Sequence, residues 1–225
     1  MFLTFEGIDG SGKTTQARRL AEDLRAAGHI VTLTREPGGS QGAEEIRALL
    51  LDGEANRWSP ESEILLFTAA RRDHVEKTIL PALKRGEIVI CDRFADSTRV
   101  FQGVARGDLV ALVDELHGLM IGIEPDLTLL FDLPADEGLA RATPPGGVEQ
   151  RFESMGVDFQ SRVRAGFLEL AARSPERLRI IDATQSPDLV AAEVKAIVMR
   201  HLGRTTGQGA SAAATAPAKF LTDHG

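Results

Sequence analysis

Eight residues near the start, Gly7-Ile8-Asp9-Gly10-Ser11-Gly12-Lys13-Thr14, combine a freely turning backbone with one long cation and one hydroxyl. Their spacing is G-x-x-x-x-G-K-T, the pattern of a phosphate-binding P-loop. Glycines let successive N–H groups point inward at a phosphate, and the start of a following helix adds positive dipole there. Lys13, expected to be accessible to solvent before a ligand binds, reaches the β and γ oxygens of a nucleoside triphosphate, and the Thr14 hydroxyl suits a Mg²⁺ ligand. The flanks agree. The β-prone run Phe2-Leu3-Thr4-Phe5 leads in, and the helical spacing of Ala17, Leu20, Ala21 and Leu24 leads out. A plain glycine-rich turn before a helix would require neither the lysine nor the threonine.

Three more groupings could do chemistry. Arg35 and Glu36 end an apolar run, and Pro37-Gly38-Gly39 then makes a sharp turn bare of side chains. Arg35 can hold a monophosphate in a bidentate fork, or it is a surface arginine on a turn. Phe67 and Arg71 lie four apart in a helical pattern and so share a face. A ring and a guanidinium one turn away suit a flat, hydrogen-bonding base, although composition alone reads Phe67 as core. Ile88-Val89-Ile90-Cys91 ends in Asp92, a carboxylate at the tip of a buried strand, as in a magnesium-holding Walker-B strand. Arg93 beside it can bridge two phosphates; the alternative is an Asp–Arg pair capping the next helix.

The elements that must position these residues alternate along the chain. Apolar β-prone runs fall at Phe2–Phe5, Ile30–Leu33, Ile88–Cys91, Leu127–Leu133 and Leu178–Ile181. Helical patterns lie between them: from about Thr14 to a stop at Gly28, from Gln41, from Ser59-Pro60 with a kink or break at Pro81, and at Leu109–Met120, Val157–Ala172 and Pro187–Leu202. This is an α/β pattern: a five-stranded parallel sheet with helices on both faces, whose ligands bind beyond the strand carboxyl ends. Thr143-Pro144-Pro145-Gly146-Gly147 breaks a helical pattern and reads as a mobile loop. One domain is expected over 1–202. A low-complexity tail at 203–225 is read as disordered.

The 225 residues are 43% hydrophobic and 26% charged, ordinary for a globular domain. A net charge of −7 argues against a general nucleic-acid binder. The lone cysteine, Cys91, cannot form an internal disulfide and reads as a small core residue. No apolar stretch spans a membrane and no signal peptide is evident, so a cytoplasmic location is expected.

Taken together, these motifs resemble the thymidylate kinase family over roughly residues 1–202. Phe5-Glu6-Gly7-Ile8-Asp9-Gly10 is similar to the family's F-E-G-x-[DE]-G, and Arg35–Gly39 to its R-E-P-G-G. Phe67-Thr68-Ala69-Ala70-Arg71 is similar to F-x-A-x-R. Asp92-Arg93-Phe94 with Ser97-Thr98 and Phe101-Gln102 is similar to D-R-[YF]-x-x-S-x-x-x-[YF]-Q. The resemblance implies a P-loop NTPase fold, a kinase domain over 1–202 with a short lid at about 141–156, ATP and Mg²⁺ as cofactors, dTMP as acceptor, and a homodimer. It places Arg35 and Glu36 on the dTMP side, Phe67 stacked on thymine, and Arg71 on its O4. Phe101 would close the sugar's 2′ side and Gln102 would hydrogen-bond the base, supported by Ser97 and Thr98; the alternative for these polar side chains is routine helix polarity. Asp9 is either a turn-stabilising residue or a contact to the 3′-OH and nearby magnesium; the family implies the second. Lys13, Asp92 and Arg93 would serve catalysis, Thr14 and Asp92 the metal, and Gln185 the strand-end loop near adenine. The P-loop carries no arginine, so the family implies a lid arginine: Arg151 in Arg151-Phe152-Glu153, or Arg141, which is otherwise a helix cap. The rivals are another P-loop nucleoside or nucleotide kinase and a non-catalytic ATP-binding module. For the latter no guanine-reading N-K-x-D sequence is present, and the two arginine motifs would be idle.

Overall fold

The structure is a computed structural model that describes residues 1–53, 57–142 and 155–207, the side chains of 204–207 excepted. Five strands form one parallel sheet in the order β2-β3-β1-β4-β5: β1 (Phe2–Gly7), β2 (Val31–Arg35), β3 (Ile88–Asp92), β4 (Leu127–Asp132) and β5 (Leu178–Asp182). Central β1 is buried along its whole length, as a parallel strand covered on both faces must be. It pairs Phe5 with Asp92 of β3 on one side and with Leu129 of β4 on the other. That register brings the ends of β1 and β3 together, with Arg35 of β2 level with Asp92.

Alternation divides the strand residues between two helical layers. Leu3, Phe5, Ile88 and Ile90 join Leu20 and Leu24 of α1 (Lys13–Ala26) in the larger core. Phe2, Val89 and Cys91 join Val75, Ile79 and Ala82 in a second. The second face is also polar toward the strand ends: Thr4 and Thr128 share a 2.7 Å hydrogen bond and Glu6 is fully buried.

The remaining helices are α2 (Gln41–Leu51), α3 (Pro60–His74), α4 (Leu80–Lys84), α5 (Ala95–Thr98), α6 (Val110–Met120), α7 (Ala135–Arg141), α8 (Gly156–Arg173) and α9 (Pro187–Gly207). Ser59 caps α3 by accepting from Ser62 N, with Pro60 at the first position, as expected. Pro81 breaks nothing. The helical path continues through it to Lys84, and the strain is taken up in a π-helical turn, Val75–Ile79, just before. A proline lacks the N–H that the preceding turn would receive, and a widened turn relieves the clash with that turn's carbonyl. A second π-helical turn, Arg99–Val104, follows α5 and was not foreseen.

At the far end, α9 extends to Gly207, five residues past the boundary expected at 202. Val190, Val194 and Val198, four apart and all buried, anchor the helix, and propagation beyond an anchored stretch costs little per residue. Residues 208–225 of the expected tail and 143–154 of the expected lid lie outside the described residues.

The P-loop rests on α7 with no room to spare. A Cβ on Gly10 would sit 2.0 Å from Gly138 O, and one on Gly138 would meet Ile8 Cδ1 at 2.5 Å and Asp9 O at 2.7 Å. Gly138→Ala should therefore destabilise the fold by about 1–3 kcal/mol through overpacking. Gly118→Ala, in open space on α6, should stabilise it by roughly 0.5–1 kcal/mol. Urea titration of both variants against the parent checks the opposite signs.

Candidate active site

After β1 the chain turns through Gly7 (φ 139), Gly10 (φ 75) and Gly12 (φ 86) before α1 starts at Lys13. No side chain caps that helix, so its first N–H groups remain for a ligand. Lys13 was expected to be accessible. Instead it is 6% exposed, and its Nζ donates to Ile8 O at 2.6 Å and Ser11 Oγ at 3.3 Å. The loop wraps its own lysine because the carbonyl of Ile8 turns inward. Burial, and then the charge of Arg93, lowers the Lys13 ammonium to about 8.

The Thr14 hydroxyl donates to Asp92 Oδ2, while Asp92 Oδ1 is buried with no hydrogen-bond partner among the described residues. A hydroxyl touching a carboxylate that keeps one orphaned oxygen is a donor set that fits a hard divalent cation such as magnesium.

Arg93 is the residue on which the strand ends converge. Its φ is 70, the one non-glycine in the left-handed region among the described residues. Strain of that kind persists only where the surroundings over-determine it. Here Arg93 N donates to Phe5 O, Nη1 to Gly7 O and Ser97 Oγ, both at 3.0 Å, and Nη2 to Asp9 Oδ1 at 2.5 Å. Its guanidinium lies 5.0 Å from the centre of the Phe101 ring. Beneath it, buried Glu6 accepts from Phe94 N at 2.7 Å and Ser97 Oγ at 2.6 Å. Burial, then the charge of Asp96, pushes the Glu6 carboxyl up to about 7.

Two clefts flank Arg93. The polar one, about 1320 Å³, is lined by P-loop residues with Arg18, Arg35, Asp92 and Arg141. Its neighbour, about 580 Å³, is lined by Phe67, Arg71, Ser97, Phe101 and Gln102 with Pro37 and Leu51. Asp9, Glu36, Arg47 and Arg93 line both.

The structure therefore brings most of the expected residues together, with changes of detail. Arg35 is half exposed and pairs with Glu44 at 3.1 Å. Glu36 has both oxygens occupied, Oε2 by Arg71 Nε at 2.7 Å and Oε1 by His74 Nδ1 at 3.1 Å, so it holds Arg71 rather than offering a free carboxylate. Arg71 also donates from Nη2 to Phe94 O and Thr98 Oγ1, leaving Nη1 without a bond among the described residues. Phe101 is 6% exposed and packs edge-on to Phe159 and Phe167, part core and part wall. Gln185 lines neither cleft; its Nε2 turns back to Asp182 Oδ2 at 3.4 Å. Arg141 does not cap its own helix: Nη1 donates to Ala183 O at 3.0 Å and Nη2 to Glu137. Arg151 lies outside the described residues.

Sequence reasoning missed Arg47, whose Nη1 donates to Pro37 O at 2.6 Å on the wall shared by the clefts. One arginine on an amphipathic helix carries no local signal. It also missed the buried supports Glu6, Glu63 and His74. For Glu6 a signal existed, a carboxylate inside an apolar β-prone run.

With this geometry in hand, comparison with known proteins is specific. The family model described as thymidylate kinase matches residues 5–194. A thymidylate kinase of Ruegeria pomeroyi is 66% identical over 205 residues, 91% of this chain and 97% of that protein. One from Caulobacter vibrioides is 54% identical over 205 residues, 90% of this chain and 97% of its own. The crystal structure of thymidylate kinase from Ehrlichia chaffeensis superposes with a TM-score of 0.71 at 39% identity, covering 88% of this chain and 98% of that one, and shares its P-loop NTPase fold. Matches of this identity over nearly the whole length leave one assignment: the chain belongs to the thymidylate kinase family.

Proposed function

We propose that this protein transfers the γ-phosphoryl group of ATP to dTMP, giving dTDP and ADP. The observation that carries the reading is the shared wall: the aromatic-lined cleft and the P-loop cleft meet at Asp9, Glu36, Arg47 and Arg93. A nucleoside monophosphate whose base lies between Phe67 and Arg71 has its phosphate at that wall, facing a triphosphate on the loop. A phosphate oxygen of dTMP attacks the γ-phosphorus, an O–P bond forms, and the bond to the β-bridging oxygen breaks. The attacking oxygen is already anionic, so no general base is required; catalysis is positioning and charge neutralisation. Lys13 and the N-terminus of α1 hold the β and γ oxygens, and Arg35 and Arg47 hold the acceptor phosphate. Arg93, fixed by Asp9 and Ser97, sits where negative charge gathers in the transition state. Magnesium would be held by Thr14 and Asp92, and when bound it neutralises charge on the β and γ oxygens.

No helix among the described residues is long and apolar enough to cross a membrane. Family membership supports a homodimer and a cytoplasmic location. An ADP-release assay across the nucleoside monophosphates tests the reading; turnover of a purine monophosphate in preference to dTMP would overturn it.

Arg71→Lys keeps a cation beside buried Glu36 but removes the planar fork. It should raise the KM for dTMP about 10-fold or more, the worth of one charge-assisted hydrogen bond, and move the KM for ATP far less. Steady-state kinetics in both substrates checks the difference. A second expectation follows from Lys13. Its ammonium titrates near 8 in the free protein and loses its charge as pH rises. Hence kcat/KM for ATP should fall above pH 8, while kcat stays level to higher pH because bound phosphates retain the proton. A pH series of both parameters checks this.

A further inference from the structure

We propose that Glu63 sets which pyrimidine edge the cleft accepts, by fixing the polarity of the Gln102 amide. The inference rests on the proposed nucleoside-monophosphate cleft.

Gln102 lines the aromatic cleft and is 1% exposed. Its Nε2 donates to Glu63 Oε2 at 3.0 Å. Glu63 lines neither cleft and is fully buried; its other oxygen accepts from Arg106 Nη1, and Arg106 Nη2 donates to Trp58 O at 3.3 Å. A carboxylate only accepts hydrogen bonds, and the Arg106 guanidinium is its paired cation. The Gln102 amide therefore cannot flip without setting its carbonyl oxygen against a carboxylate oxygen. Gln102 Oε1 accepts no hydrogen bond from the described residues and is not among the polar atoms sealed away from solvent. It is the acceptor that this side chain presents to the cleft.

Arg71 lines the same cleft and only donates, with Nε and Nη2 committed to protein partners. Arg71 and Gln102 thus give the cleft a donor and an acceptor of fixed identity. Thymine and uracil match with the O4 acceptor beside the N3–H donor. Cytosine carries the reverse pair, an amino donor beside a bare ring nitrogen, and would face Arg71 and Gln102 with like against like. Sites of this kind discriminate because a mismatched ligand leaves buried polar groups unpaired. Glu63 touches no ligand and is a positioning residue acting through Gln102.

The test is Glu63→Gln, with folding verified by circular dichroism and kcat/KM measured for dTMP, dUMP and dCMP alongside the parent protein. A neutral amide at 63 can donate or accept, so Gln102 is free to turn. The preference for dTMP over dCMP should fall about tenfold or more. The preference for dTMP over dUMP, which share the same donor–acceptor edge, should hold within about twofold. A parallel loss for all three, or an unchanged dTMP-to-dCMP ratio, overturns the proposal. If Glu63→Gln does not fold, Arg106→Gln reads the same ratios. It leaves the carboxyl in place but removes the cation that holds its other oxygen, so the preference for dTMP over dCMP should fall there too. An unchanged ratio there also overturns the proposal. Failure of the parent protein to phosphorylate any of the three pyrimidine monophosphates is a separate result, which sinks the reading of the cleft itself.

Discussion

The site depends on one backbone constraint, the left-handed turn at Arg93 after β3. An extended residue there would carry the chain onward along the strand and stand its side chain off a face of the sheet. At φ 70 the chain doubles back, and the guanidinium lies across the end of β1 against Gly7 O, Asp9 and Ser97. The conformation costs on the order of 1–3 kcal/mol in an ordinary residue. What holds it is Glu6 below, whose two oxygens take Phe94 N and the Ser97 hydroxyl and so fix both the turn and the partner of Arg93. Glu6 is itself costly, since burial and Asp96 push its carboxyl to about 7. Stability is here exchanged for a cation already in place before any phosphate arrives, the sense in which a site is preorganised.

The same device recurs around the aromatic cleft. Glu36 aligns Arg71 and is backed by His74, whose Nε2 meets Thr34 Oγ1 at 2.7 Å. Glu63 aligns Gln102 and is backed by Arg106. In each case a buried carboxylate fixes a side chain that lines the cleft, and a second group satisfies the carboxylate. Removing one member would leave a buried charge uncompensated, so these layers act as units rather than as sums of pairs. Gly39 fits this packing: a Cβ there would lie 2.4 Å from both His74 Nε2 and Thr34 Oγ1.

Local signals were enough for the elements and for residues that carry their motif with them. The five apolar runs became the five strands: β1, β3 and β4, covered on both faces, are almost continuously buried, while the edge strands β2 and β5 keep only part of that pattern. Lys13, Thr14, Asp92, Arg93, Phe67 and Arg71 do line the two clefts, where strand-end and helical-face positions at fixed spacing put them. The end of α9 was misplaced because its composition changes before its backbone does, and the accessibility of Lys13 because a loop carbonyl five residues away captures it.

By itself the sequence determined the α/β class, the phosphate loop, the strand-end carboxylate and the family those motifs resemble, since all are written in spacings of a few residues. Only the tertiary structure decided the rest. It gave the strand order that sets Arg35 level with Asp92, the wall shared by two clefts, and the buried carboxylates that aim Arg93, Arg71 and Gln102. Those pairings join residues 35 to 91 positions apart along the chain. No local pattern encodes them, because a hydrogen bond across the core is specified by how sheets and helices pack, not by which residues are neighbours in sequence.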